Sequence, residues 1–530
     1  MSKITSKCLS ILEKCKNMKQ LREAHAQAIT CGLGKNNFTL SRLLAFCSDP
    51  VRGSLPHGLK IFQHIENPTI CICNTMIKTC LLKGELTEII QIYTQMLENG
   101  MHPDNYTLPY VLKSCANSQS FYLGSSVHGH CLKLGFSFDI FVGNTLVYMY
   151  AGFDKMEDAR QVFDEIPCHC VVSWTVLISG YARKGDAYTA RLVFDEAPVK
   201  DRGIWGSMIS GYVQNNCFKE GLHMFRDMQL MGFLPDEAIF VSVLCACAHL
   251  GALDIGIWIH RYVERIRLPL SVRLGTALID MYCKCGKLDI AENVFDEMPR
   301  KDTICWNAMI SGVAMHGYGE RALMLFLDME RDGVQPDDVT FIAILTACSY
   351  SGMAYEGLRL LNSMYNTYNI EPKTEHYGCI IDLLSRAGQF EEAKTIVQKM
   401  ANSSGASEEA IAWRALLSAC NDHGQAQLAE VAVERLVQLE RHSGAYVLLS
   451  NLYSAAGKHD CARRIRKKMK SQGIHKTPGC SSVEINGVIH EFVAGEKMNP
   501  RIEDMHTLLA IISIQSGGDI CPSFSRVNVC

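Results

Sequence analysis

Three sets of landmarks recur along this chain at shared distances, and that regularity limits its fold more than any other feature. WTVLISGY at Trp174, WGSMISGY at Trp205 and WNAMISG at Trp306 are separated by 31 and then 101 residues. VFDEIP at Val162, VFDEAP at Val193 and VFDEMP at Val294 repeat the same two distances. VLKSCA at Val111, VLCACA at Val243 and ILTACS at Ile344 are 132 and 101 residues apart. The longer distances resolve into units of about 31 and about 35 residues. Periods in this range signify a solenoid, in which each unit buries its apolar face only against its neighbours.

Matching outward from Val272–Asp302, Thr303–Asp337 and Asp338–Lys373 lays out the rest with almost no linker. Each unit reads as a helical hairpin. In Ile70–Asp104 the first helix carries Met76, Ile77, Cys80 and Leu81, and Lys83-Gly84-Glu85 makes the turn. Glycine suits the conformation that a helix end requires. Ile89, Ile92, Tyr93, Met96 and Leu97 then recur at helical spacing and share one face. Gly100 and Pro103 stop the second helix before Asp104. The fold class expected is therefore all-α: a right-handed α-solenoid of stacked helix-turn-helix repeats. Near the C-terminus, Asn486-Gly487 lies between the alternating segments Val483–Ile485 and Val488–Phe492, which predicts a small β-hairpin. A helix is expected near Ile502–Ile514, followed by a loose Gly/Ser end.

With 530 residues, one compact core is not expected, and stacked repeats remove the need for it. The formal net charge of −3 argues against a diffuse basic surface for nucleic acid, but leaves room for readout by a few side chains in a groove. The 24 cysteines follow the repeats, as in Cys71/Cys73, Cys245/Cys247 and Cys283/Cys285. A C-x-C pair on a helix points its thiols to different sides, which suits small apolar packing rather than a zinc site. No metal, cofactor or catalytic residue is called. No apolar run approaches the roughly 20 residues of a membrane span. The N-terminus, with Lys3 and Lys7 and no acid before Glu13, is compatible with an organelle transit peptide overlapping a first repeat.

These landmarks resemble the plant pentatricopeptide repeat proteins of the class that alternates P, L and S motifs. VLKSCA…VHGHCLKLGF looks like an L motif, NTLVYMYAGFDKMEDARQVFDEIP like an S motif and WNAMISGVAMHGYGERALMLFLDMERDGVQPD like a P motif. WRALLSACNDHG, YVLLSNLYSAAGKHDCARRIRKKM and PGCSSVEINGVIHEFVAG look like the family's E extension. The resemblance gives a first L-like repeat over 1–37, a repeat array over 38–409, degenerate E-like repeats over 410–476 and a short tail over 477–530. It implies a protein that binds single-stranded organellar RNA, in the mitochondrion or alternatively the chloroplast, and directs C-to-U editing. Longer members carry a deaminase with H-x-E and C-x-x-C zinc signatures. His490-Glu491 does not match the first, and no C-x-x-C follows it. The resemblance therefore implies a deaminase-bearing partner and other editing factors in trans, and no enzyme activity in this chain. Roles in RNA stability, splicing or translation are the alternative; a protein-binding helical scaffold fits the 31/35 alternation less well.

In this family the fifth and last residues of each unit meet one base. That assigns Asn74/Asp104, Asn144 with Cys170, Thr175/Asp201, Gly206/Asp236, Thr276/Asp302 and Asn307/Asp337. An amide offers a donor and an acceptor, and a hydroxyl offers either. By resemblance, Asn with Asp reads U and Thr with Asp reads G. Asn144 without its Asp implies an ill-defined pyrimidine, and Gly206 implies a lax unit. Pro109, Val241 and Ile342 hold the fifth position of L-like units and are expected to act as spacers or stacking surfaces. The competing reading of an early-helix Asn or Thr is a local backbone partner, and of the terminal Asp a helix cap. For Trp174, Trp205 and Trp306, packing is favoured over base stacking. For Arg463–Lys468, a solvated helix face is favoured over phosphate contact.

Overall fold

The structure, a computed structural model, describes residues 14–493 except 404, 441, 477, 478, 486 and 487. The expected transit segment, the helix near Ile502–Ile514 and the Asn486-Gly487 turn lie outside the described residues. Two compact units are present, Met1–Val243 and Leu244–Cys530.

Both units are built from helix pairs, and the sequence shows why each helix starts where it does. Helices begin at Ile70, Ile140, Val171, Arg202, Val272, Thr303, Asp338 and Thr374, each the first residue of a repeat. The residue before is often a capping oxygen. Asp139, Asp201, Ser271, Asp302 and Asp337 each accept from a backbone N–H of the first turn, satisfying a donor that has no partner within its helix. In the repeat that begins at Ile70, the first helix runs Ile70–Lys83 and the second Leu86–Glu98. Gly84 joins them at φ 80°, in the left-handed region. Ile89, Ile92, Tyr93 and Met96 are buried. Leu97 is 37% exposed, because it falls at the edge of the stripe rather than at its centre.

Packing explains the landmark motifs. In the first compact unit the helix Val171–Arg183 lies against Arg202–Gln214, and in the second Val272–Lys284 lies against Thr303–Met315. The glycine of each ISG allows that approach. A Cβ on Gly211 would lie 2.8 Å from Ala182 Cβ, and one on Gly312 would lie 2.2 Å from Cys283 Sγ. Cys283 is thus a small apolar filler, and burial pushes its thiol up to about 12. The tryptophan of each landmark packs edge-on against the phenylalanine of the preceding VFDE. Trp174 meets Phe163 at 4.9 Å, Trp205 meets Phe194 at 4.9 Å, and Trp306 meets Phe295 at 4.8 Å. Burying such a ring stabilises by about 1.5–3 kcal/mol, with a further increment of about 0.5–1.5 kcal/mol for the pair geometry. A basic side chain closes the cluster twice: Lys200 Nζ lies 5.2 Å from the Phe194 ring centroid, and Lys301 Nζ lies 4.9 Å from that of Phe295.

Near the end of the described chain, Glu409 is buried and accepts from Arg435 Nε at 2.6 Å, Arg435 Nη2 at 3.0 Å and Trp413 Nε1 at 3.0 Å. The Arg435 guanidinium holds the Glu409 carboxyl below the usual range. This pair ties Ala406–Asp422 to Ala426–Leu439. Two strands follow, β1 Cys480–Ile485 and β2 Val488–Val493, paired antiparallel with Ile485 opposite Val488. Among the described residues no helix is long and apolar enough to cross a membrane.

Candidate nucleic-acid interface

The two Asn/Asp pairs have the same geometry. Asn74 Nδ2 donates to Asp104 Oδ1 at 3.1 Å, and Asn307 Nδ2 donates to Asp337 Oδ1 at 3.0 Å. In each case a threonine of the next repeat completes the triad. Thr107 Oγ1 lies 2.6 Å from Asn74 Oδ1 and 2.8 Å from Asp104 Oδ1. Thr340 Oγ1 lies 2.6 Å from Asn307 Oδ1 and 2.9 Å from Asp337 Oδ1. A hydroxyl has one proton, so it serves one of its two acceptors at a time. The same Asp oxygens accept from Thr107 N and Thr340 N, both at 2.8 Å. Fifth-position amide, terminal carboxylate and helix cap are therefore one network, and the Asp that caps the helix is the one that holds the amide. The amide has two protons and its oxygen two lone pairs. The network uses one of each and leaves one of each over; Asn74 is half-buried and Asn307 is buried.

Burial works to raise the Asp104 carboxyl, and hydrogen bonds from Thr107 and Asn74 outweigh it, so the carboxyl sits below the usual range. Its contribution to stability is present above the ordinary carboxylate value and is lost as pH falls through the depressed one. Sequence reasoning did not single out Thr107 or Thr340. The signal was available: Asp-x-x-Thr is a capping-box spacing.

The remaining pairs differ. Asn144 is buried; its Nδ2 lies 3.5 Å from Cys170 Sγ, and its Oδ1 has no hydrogen-bond partner. Sulfur is a weak acceptor, so Cys170 is a poor substitute for an Asp. Thr175 Oγ1 donates at 2.8 Å to Val171 O, the local backbone bond that competes with base readout. Thr276 Oγ1 makes no such bond. It is buried with no well-formed partner, next to the Cys305 thiol. Burial pushes that thiol up to about 11, with the Thr276 hydroxyl working against it. Asp201, Asp302 and Asp236 cap their helices through Oδ1, at 2.9, 2.9 and 3.1 Å from Ile204 N, Cys305 N and Ile239 N. At Gly206 there is no side chain, and Arg202 Nε lies 3.5 Å from Asp236 Oδ2. Pro109, Val241 and Ile342 are half-buried.

Trp205 and Trp306 are buried and packed edge-on against Phe194 and Phe295. In Arg463–Lys468, Arg463 pairs with Asp460 at 3.0 Å and Arg466 Nε donates to Ser450 Oγ at 2.8 Å. The other cations of that run lie on the exposed side of His459–Ser471. No cluster of His, Cys, Asp and Glu suited to a metal ion occurs among the described residues.

Family models match along the chain. The PPR repeat family model matches residues 68–117 and 301–350. Models described as PPR repeat match 276–299 and also 172–200, 203–233 and 375–404. The E motif matches 423–484. The Arabidopsis thaliana pentatricopeptide repeat-containing protein At2g20540 is 40% identical over 97% of this chain and 95% of its own length. Its chloroplastic relative At1g08070 is 36% identical over 94% of this chain and 81% of its own length, and the mitochondrial At2g22410 is 33% identical over 98% and 91%. Among solved structures, the crystal structure of PPR10 from maize covers 87% of this chain and 77% of that protein, at 16% identity and a TM-score of 0.47. With repeats matched in both compact units and relatives this similar over almost its whole length, the chain belongs to the pentatricopeptide repeat proteins, in the PLS class that carries an E motif.

Proposed function

We propose that this protein is a sequence-specific, single-stranded RNA-binding adaptor of a plant organelle. It directs C-to-U editing of a transcript by bringing a deaminase to it in trans. The observation that carries the reading is the repeated triad, Asn74–Asp104–Thr107 and Asn307–Asp337–Thr340. Two separate repeats hold the same amide in the same orientation with one donor and one lone pair unused. Readout of one base per repeat by two or three side chains needs such a fixed, unsaturated polar group. The E motif at 423–484 supports a role beyond RNA binding alone, and relatives named chloroplastic or mitochondrial support an organelle. In this reading the mitochondrion comes first and the chloroplast second. The base contacts come from Asn74/Asp104, Asn144, Thr175/Asp201, Asp236, Thr276/Asp302 and Asn307/Asp337.

The test is organellar RNA sequencing from plants lacking the protein. Loss of C-to-U conversion at one or a few sites, restored by the wild-type gene, is the expected result. Unchanged editing alongside altered transcript ends or splicing would instead establish a processing factor.

A further inference from the structure

The repeat Arg202–Asp236 has glycine at the position where the preceding repeat carries Thr175. A hollow of about 510 Å³ opens there within the first compact unit. Thr175, Ser179, Arg202, Gly206, Ser210 and Asp236 are among the residues lining it. This volume is within the roughly 300–1,000 Å³ of small-molecule sites. The hollow joins two successive fifth positions, Thr175 and Gly206, and is bordered by the terminal Asp236. A Cβ on Gly206 would come within 3.2 Å of Ile239 Cγ1, so any side chain there starts by crowding the floor.

Asp236 also has a different partner. Asp104 and Asp337 are held by an asparagine amide; Asp236 is approached at 3.5 Å by Arg202 Nε, from the first residue of its own repeat. Other repeats open on Ile70, Ile140, Val171, Val272 and Thr303, or on the acids Glu237 and Asp338, so Arg202 is the cation among these first residues. Contacts between the two ends of a repeat recur, as Asn105 Nδ2 donating to Asp139 Oδ2 at 3.1 Å and Lys373 pairing with Asp338, but there without a guanidinium. A guanidinium has five N–H donors in a fixed fork, and its closest approach to this carboxylate is Nε at 3.5 Å. Asp236 Oδ1 caps Ile239, and Oδ2 is the oxygen towards the arginine.

We propose that this repeat selects guanine, through the Arg202–Asp236 pair and the space that Gly206 leaves. The proposal rests on the RNA-binding reading and replaces the laxity that glycine alone implies. The guanine Watson–Crick edge presents O6 as acceptor, then N1–H and the N2 amino group as donors. A cation beside a carboxylate is complementary to that order. Adenine and cytosine present an amino group to the arginine and a ring-nitrogen lone pair to the carboxylate, so both contacts are reversed. Uracil matches at O4 and N3–H, places O2 against the carboxylate and fills less of the hollow. Arg202 acts here as a donor to the ligand as well as the group that aims Asp236.

The experiment is a binding series with the full chain and RNA oligonucleotides. The base facing this repeat, adjacent to the one facing Thr175/Asp201, is varied through all four bases, inosine and 7-deazaguanine. Guanine is expected to bind more tightly than adenine and cytosine by roughly 5- to 150-fold, the range of a good base contact. 7-Deazaguanine should match guanine, since N7 is not used, and inosine should be weaker for want of the N2 amino group. Arg202→Gln is expected to shrink the guanine advantage at this base alone, and a thermal melt confirms that the variant folds. Equal binding of all four bases here, with a clear preference opposite Thr276/Asp302, overturns the proposal and leaves RNA reading intact. No preference at either place overturns both. A guanine preference that drops with 7-deazaguanine overturns the edge assignment and with it the role given to Asp236.

Discussion

At Asp337 one carboxylate oxygen accepts an amide and a backbone N–H and shares the single Thr340 hydroxyl proton with Asn307 Oδ1, and the effect of removing a donor follows from counting them. Thr340→Val keeps shape and deletes the hydroxyl that Asn307 Oδ1 accepts from inside a buried site. The expected loss of stability is about 1–3 kcal/mol, the cost of a buried polar group left unmatched, read by chemical unfolding. Weaker discrimination at the base facing Asn307 should accompany it. The complementary change is Thr276→Asn. It places an amide at the position equivalent to Asn307, where a buried hydroxyl now lies beside the Cys305 thiol. Preference at that base should move from G towards U by about 1–3 kcal/mol, roughly 5- to 150-fold, with neighbouring bases unaffected. Binding to RNAs varied at that base checks it. If all four bases keep their wild-type order, Thr276 is a packing residue.

At the scale of helices, the landmarks turn out to be contact pairs. Tryptophan answers phenylalanine, and the ISG glycine answers Ala182 or Cys283 in the repeat before. That is why a motif spacing was enough to place helix starts at Ile70, Val171 or Thr303: the same residues that recur in sequence must meet in space. What the spacing did not reveal depends on side-chain direction. Thr175 and Thr276 occupy equivalent positions and look alike in sequence, yet one hydroxyl turns back to the Val171 carbonyl and the other stays without a partner. Leu97 fits the helical stripe by count and still reaches solvent, since the stripe ends one residue earlier. The Arg202–Asp236 approach links the two ends of one repeat and leaves no local pattern. Cysteine chemistry separates along the same lines. Burial pushes the thiols of Cys131 and Cys283 up to about 12. At Cys170 burial acts upward too, and hydrogen bonds from Ser173 and Asn144 overcome it, leaving that thiol below its ordinary value. Alkylation with iodoacetamide at neutral pH, read by peptide mass spectrometry, should modify Cys170 well before Cys131 or Cys283.

For the molecule as a whole, stability is a sum over repeats and the contacts between neighbours rather than the property of one core. Urea unfolding followed by circular dichroism should start from a helix-dominated spectrum and give a transition broader than a two-state chain of 530 residues would show. One sharp transition with the slope expected for the full buried surface would contradict it. If, as proposed, each base is met by its own repeat, such an array invites rewriting. The Asp–Thr cap sets a limit on that freedom. In the proposed reading the carboxylate that faces the base is also the fastening between one hairpin and the next, so letters and rivets are the same atoms. Changing a fifth residue rewrites a letter; changing a terminal aspartate loosens a joint. An evolving or engineered array can therefore drift in its fifth residues far more cheaply than in its last ones, and its repertoire of targets is explored chiefly through half of each pair.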